Sequence, residues 1–276
     1  MKHPPGVRAD YSIELLQELH ILTRDGKLNQ DSRRKLKQVE HLYRFIEPLL
    51  VESLEQQGEV AVVDHGAGKS YLGFILYDLF LKQRAVGHVY GIETRRELVE
   101  RSRRLAERLN FARMKFLDLS VAEAMAMESS DLPPRVDIVT ALHACDTATD
   151  DAIRFGLQRE ASFMVLVPCC QAEVAVVLRR RKNESFSKTA LSELWRHPIH
   201  TREFGSQLTN VLRCLLLEAH GYQVSVTELV GWEHSMKNEL IVARRTGAAR
   251  GNAVQRSIEI LRALNLEELQ SRFVYI

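Results

Sequence analysis

From residue 60 onward, short apolar runs alternate with longer amphipathic stretches, and this alternation restricts the chain more than any other feature. The runs cover 60–63, 88–92, 114–117, 136–142 and 163–167. Between them, at 71–82, 95–110, 121–127 and 148–159, apolar residues recur at helical spacing. Successive parallel strands need a crossover of a dozen or more residues, usually a helix. The pattern therefore predicts an α/β fold whose mostly parallel sheet is covered by helices on both faces.

After residue 167 the rhythm breaks. A basic stretch, RRRKNESFSK, and a Trp195–Pro198 segment precede a helical stretch at 206–220. Two further runs, 224–230 and 239–243, are joined by GWEHSMKN, too short for a crossover helix, which predicts an antiparallel arrangement at the sheet's end. A last helix is predicted over 253–271. Ahead of the alternation, Ile13, Leu16 and Leu19, then Leu36, Val39, Leu42, Tyr43 and Ile46, fall at helical spacing across 10–57. Asp25-Gly26 marks a break there, and Asp31 or Ser32 is a candidate cap for the second helix. The expected architecture is Rossmann-like: a helical N-terminal cap (1–57), a seven-stranded, mostly parallel core with an antiparallel C-terminal strand (58–246), and a C-terminal helix (247–276).

Bulk charge excludes little. The formal net charge of +2 makes no whole-molecule case for a nucleic-acid partner, so local clusters must carry it. The four cysteines, two of them adjacent, do not form the framework of a secreted disulfide protein, and no apolar run approaches the ~20 residues of a membrane span. A reducing cytoplasm is the expected setting. Oligomeric state leaves no signature.

Ligands of an open parallel sheet sit beyond the carboxyl ends of its strands, where strand order reverses. The first run delivers Asp64-His65-Gly66-Ala67-Gly68-Lys69 to that edge. Glycines at alternate positions let backbone approach a ligand closely, and the following helix offers free N–H groups. The second run ends in Glu93, an acid able to accept two ribose hydroxyls. The third ends in Asp118, whose side chain, or the amide of Leu119 beside it, is placed to meet an adenine amino group. A dinucleotide fingerprint requires a third glycine where this chain has Tyr71. The acid before the loop and the terminal strand pair favour S-adenosylmethionine instead, with Asp64, Gly66, Ala67, Gly68, Glu93, Asp118 and Leu119 as its contacts.

The fourth run ends in His143-Ala144-Cys145-Asp146 and the fifth in Pro168-Cys169-Cys170. Neighbouring strand ends would bring His143, Cys145, Asp146, Cys169 and Cys170 together. Methyl transfer from a sulfonium is an in-line displacement that mainly needs alignment, and a hydroxyl acceptor also needs a base, for which His143 or Asp146 qualifies. A thiolate could instead add to a pyrimidine. The set has soft ligands enough for a metal, but the C-x2-C spacing of structural zinc sites is absent and no metal is expected. Cys214, inside an amphipathic helix, reads as a buried small hydrophobe, and Thr149 and Asp150 as helix caps.

The segments DHGAGKSYLGF, GIETRRELVERS, ALHACDTATDDAI, VPCCQ and WEHSMKN resemble a family of class I methyltransferase domains with LHAC and PCC motifs. That family includes bacterial proteins of unassigned substrate and is distantly similar to the eukaryotic tRNA acceptor-stem ribose 2′-O-methyltransferase. The resemblance runs from about Asp31 to Arg245. It implies S-adenosylmethionine binding through Asp64, Gly66, Gly68 and Glu93, with His143, Cys145 and the Cys169-Cys170 pair lining the reaction site. An RNA acceptor, tRNA or rRNA, would find phosphate-binding cations in Arg33, Arg34 and Lys37 on one side and Arg179, Arg180 and Arg181 on the other. The arginines from Arg95 to Arg108 are expected only to solubilise their helix. A protein or small-molecule acceptor, or a non-catalytic Rossmann-like binding module, are the competing expectations.

Overall fold

The computed structural model describes residues 7–120, 123–124, 131–142, 147–168, 171–180, 190–229 and 239–275. Two helices lead the chain, α1 (Ile13–Glu18) and α2 (Gln30–Gln57). Strand β1 (Ala61–His65) is followed by α3 (Tyr71–Leu76), which continues through a π-helical turn at Tyr77–Leu81 to Arg84. Then come β2 (His88–Glu93), α4 (Arg96–Arg108), β3 (Met114–Asp118), β4 (Ile138–Leu142), α5 (Thr147–Gln158) and β5 (Phe163–Val167). Helices α6 (Glu173–Arg180) and α7 (Pro198–Ala219) precede β6 (Tyr222–Glu228) and β7 (Glu239–Arg245). Helices α8 (Ala253–Ala263) and α9 (Gln270–Phe273) follow.

The strands form one seven-stranded sheet in the order β3-β2-β1-β4-β5-β7-β6. The first five are mutually parallel, and β7 runs antiparallel to both its neighbours. This is the Rossmann-like sheet expected from the alternation. Strand order reverses between β1 and β4, so the crevice opens beside the glycine loop.

Strand β1 shows how the core is divided. Successive side chains face opposite sides of a sheet. Val62 accordingly packs with Ile46 of α2 and Phe74 of α3, while Val63 packs with Ile153 and Phe155 of α5. Helices α1 to α4 cover the first face, and α5 and α7 the second. The N-terminal helices share the sheet's own hydrophobic cluster: Leu36, Leu42, Tyr43, Ile46 and Leu50 are buried in it. Ser12 N–H donates to Asp78 in the π-helical turn at 2.7 Å and anchors α1 there.

Several boundaries differ from the sequence expectation for local reasons. The cap of α2 is Asn29, whose side chain accepts from Ser32 N–H at 2.8 Å. Helix α7 starts at Pro198 because proline at the first turn lacks a donor the helix does not need there. The terminal helix is broken after Ala263, with Asn265 left-handed at φ 50°, and resumes only at Gln270.

Candidate active site

Asp64, near the end of β1, is buried and internal to the loop that follows. Its carboxylate accepts from Thr140 Oγ1 at 2.8 Å and from Ser70 Oγ at 3.2 Å, and also from the Gly73 backbone N–H. Burial pushes its pKa up to about 6, and these donors oppose the shift. Asp64 therefore shapes the loop from beneath. Gly66 and Gly68 sit at φ 65° and 57°, a region that costs glycine nothing. Gly73 is the glycine of close helix–strand packing: a Cβ there would lie 2.5 Å from Ser70 Oγ and 3.2 Å from Val89. The fingerprint's third glycine is thus displaced to the first turn of α3, two positions after Tyr71.

Glu93 closes the loop from the side. Its Oε2 accepts the Gly68 N–H at 2.8 Å and its Oε1 the Arg95 N–H at 3.0 Å. Arg95 also lays its guanidinium on the carboxylate, Nε to Oε1 at 3.0 Å and Nη2 to Oε2 at 3.1 Å. Burial alone would raise the Glu93 pKa, but the Arg95 and Gly68 donors together hold it below its ordinary value. Glu93 is an ionised acid at the mouth of the crevice. Asp118 stands in register beside it on β3 and is exposed, and Leu119 packs partly against the second cluster.

His65 has the opposite character. It faces the apolar side of the sheet, its ring 5.9 Å from that of Phe155, and only 3% of it is exposed. Neither ring nitrogen has a hydrogen-bond partner. Burial lowers its pKa to about 4, so it is a neutral imidazole directly below the loop.

Beyond β4 and β5, the expected residues His143, Cys145, Asp146, Cys169 and Cys170 lie outside the described residues, as does Arg181. The strands that lead to them end side by side, Leu142 opposite Val167. A buried polar network braces the chain around that edge. Arg213, fully buried in α7, forks onto Asp150 of α5 at 2.7 and 2.9 Å and donates to Asn210 Oδ1 at 3.1 Å. Asn210 in turn accepts from Gln171 at 3.1 Å and donates to Glu239 at 2.6 Å. Asp150 is therefore an ion-pair partner and not the cap expected from its position. The sequence signal for Arg213 is a lone arginine among Leu208, Leu212, Leu215 and Leu216 on one helix, a signal that residue type alone does not reveal.

One other assignment changes. The arginines after β2 do more than solubilise α4: Arg95 engages Glu93, and Arg103 donates from Nε to the Phe116 carbonyl at 2.9 Å, tying α4 to β3. The two basic clusters lie on opposite faces of the sheet. Arg33, Arg34 and Lys37 are on α2, beside α3, and Arg179 and Arg180 are on α6, stacked upon α7. Arg179 donates to the Ala175 carbonyl at 3.1 Å, and Arg180 pairs with Glu268. Cys214 is partly buried, its thiol pushed up to about 12 by burial, which makes it an inert packing residue. Among the described residues, no group of acids, histidines and cysteines is arranged to hold a metal ion, and no helix is long and apolar enough to cross a membrane.

A glycine loop, an ionised acid at the end of the next strand and this strand order describe a site for an adenosyl ligand. The model of a family described as a methyltransferase domain matches residues 34–177, slightly more than half of the chain. The chain belongs to that methyltransferase domain family. S-adenosylmethionine is the methyl donor that membership of this family implies. Among curated proteins it is similar to the glutathione S-transferase C-terminal domain-containing proteins of Bos taurus and Homo sapiens, each 25% identical over 239 residues. The match covers 80% of this chain and 35% of theirs, so the chain spans about a third of the length of those relatives. Solved structures that it resembles include the DszA carbon methyltransferase, at 14% identity and TM-score 0.48, covering 87% of this chain and 59% of that one. An rRNA methylase from Streptococcus thermophilus matches at 10% identity and TM-score 0.41, covering 72% and 92%.

The residues present fit the donor. Glu93 is ionised, fixed to the loop by the Gly68 N–H, and shares its register with Asp118. An acid so placed suits a ribose, and an exposed acid one strand further suits an adenine amino group.

Proposed function

We propose that this methyltransferase acts on RNA, a tRNA or rRNA, through the site between the glycine loop and the ends of β4 and β5. The observation that carries the donor half is the Gly68–Glu93 hydrogen bond, which locks a buried carboxylate to the loop. When bound, S-adenosylmethionine supplies an electrophilic methyl group on sulfur. Glu93 would orient the ribose, Asp118 or the Leu119 amide the adenine, and the loop from Gly66 through Ala67 to Gly68 would admit the chain of the ligand without Cβ obstruction. Asp64 holds that loop in shape.

For the acceptor half, we assign His143 or Asp146 as the base for a hydroxyl and, from the resemblance, Cys145, Cys169 and Cys170 to the reaction site. Its support is the side-by-side ending of β4 and β5 at the same edge as the loop, together with the resemblance of the LHAC and PCC segments. Exposed Arg33 and Arg34 on α2 and Arg179 on α6 supply cations suited to phosphate contacts on both sides of a bound RNA.

Two measurements test this. Calorimetric titration with S-adenosylmethionine should give binding that Gly66→Arg abolishes, and a silent wild type would remove the donor site. Transfer of labelled methyl to total RNA and total protein from cells lacking the gene should label RNA. Label in protein alone would overturn the RNA assignment.

A further inference from the structure

The Glu93 carboxylate is full. A carboxylate offers about four acceptor positions. Oε1 takes the Arg95 N–H and Nε at 3.0 Å each and, more distantly, the Thr94 hydroxyl at 3.4 Å, and Oε2 takes the Gly68 N–H at 2.8 Å and Arg95 Nη2 at 3.1 Å. Two of those five bonds come from one guanidinium, which puts one N–H on each oxygen. The vicinal hydroxyls of a ribose would need the same pair of acceptor positions. The side chain also reaches across the loop: Arg95 Nη2 would be 3.8 Å from a Cβ on Gly68. Its own side chain is 62% exposed, whereas that of Glu93 is 8% exposed, so the arginine can leave and the acid cannot.

We propose that Arg95 is a removable stand-in for the cofactor ribose, occupying both oxygens of Glu93 until the two hydroxyls displace it. The inference rests on the reading of Glu93 as the ribose acceptor. It makes Arg95 a residue that lowers cofactor affinity, since each binding event must break its pair with Glu93. The backbone N–H bonds from Gly68 and Arg95 stay in place and keep the carboxylate aimed. A lysine at this position would compete less well, because an ammonium cannot make two parallel bonds.

Calorimetry with S-adenosylhomocysteine and with its 2′-deoxy analogue tests the idea, with thermal melts to confirm that each variant is folded. Arg95→Ala should bind S-adenosylhomocysteine roughly five-fold more tightly than wild type, the exchange value of a mostly exposed ion pair. Arg95→Lys should fall between the two, and the gain should shrink for the deoxy ligand. Equal or weaker binding by a folded Arg95→Ala protein would overturn the proposal and make Arg95 an ordinary support for Glu93. Absence of binding by wild type and variant alike would instead bring down the ribose reading, and the proposal with it.

Discussion

Thr140 on β4 donates its hydroxyl to the Asp64 carboxylate on β1 at 2.8 Å, across the pair of strands where the sheet's order reverses. The bond offsets part of the cost of burying an acid beneath the glycine loop. Thr140→Val removes the donor and leaves the oxygen unpaired in the core. The expected result is a loss of about 1–3 kcal/mol of stability and weaker S-adenosylmethionine binding, with Thr140→Ser restoring both. Thermal melts and calorimetry on the two variants distinguish the outcomes, and unchanged binding in Thr140→Val would show that Asp64 does not shape the loop.

Glu93→Ala should fold, since the acid stands at a strand end, but should lose cofactor. Hydrogen bonds to a charged acceptor contribute about 1.5–3 kcal/mol, so affinity should fall roughly ten- to hundred-fold. Calorimetry reads this directly, and binding within two-fold of wild type would remove Glu93 from the site.

His65 predicts a pH dependence. Its folded pKa is depressed to about 4 from an ordinary 6.5. The stability contributed by the neutral ring is complete above pH 6.5 and is lost as pH falls toward 4. His65→Leu removes two unpaired buried nitrogens and that dependence together. The variant should be more stable than wild type by about 1–3 kcal/mol at pH 7, with a wider gap at pH 4.5. Urea midpoints at the two pH values provide the comparison, and a gap that narrows on acidification would contradict the assignment.

Arg213→Met should strand the buried Asp150 carboxylate and cost about 3–5 kcal/mol. Replacing both partners, with Asp150→Leu added, should recover most of the loss, because the pair itself contributes little against a well-packed apolar substitute. Denaturant midpoints for the single and double variants decide whether the network stabilises the fold or only sets the arrangement of the chain around it.

Strand positions and the loop could be read from the chain because they rest on local periodicity and on glycine at alternate positions. Glu93 was found by its place at the end of β2. Arg95 and Arg213 were not, since arginine suggests solvent by type and their partners, Glu93 and Asp150, are set by tertiary placement. Asp150 looked like a cap because it stands in a helix's first turn, where acids are favoured for that reason as well. The close-packing glycine was sought at Tyr71 and is found at Gly73, because the turn into α3 passes through a left-handed Ser70, φ 49°, before the helix begins.

Strand β7 lies between β5 and β6, although β6 precedes it in the chain. As the polypeptide leaves the ribosome, the five parallel strands that carry the glycine loop can assemble once Val167 has emerged. Residues 222–228 then appear with no strand to pair with, and β5 presents an open edge, until 239–245 arrive to fill the gap. Open edges invite association with other chains. The donor half of this sheet can thus form early, while the far side stays vulnerable until the final strand is synthesised.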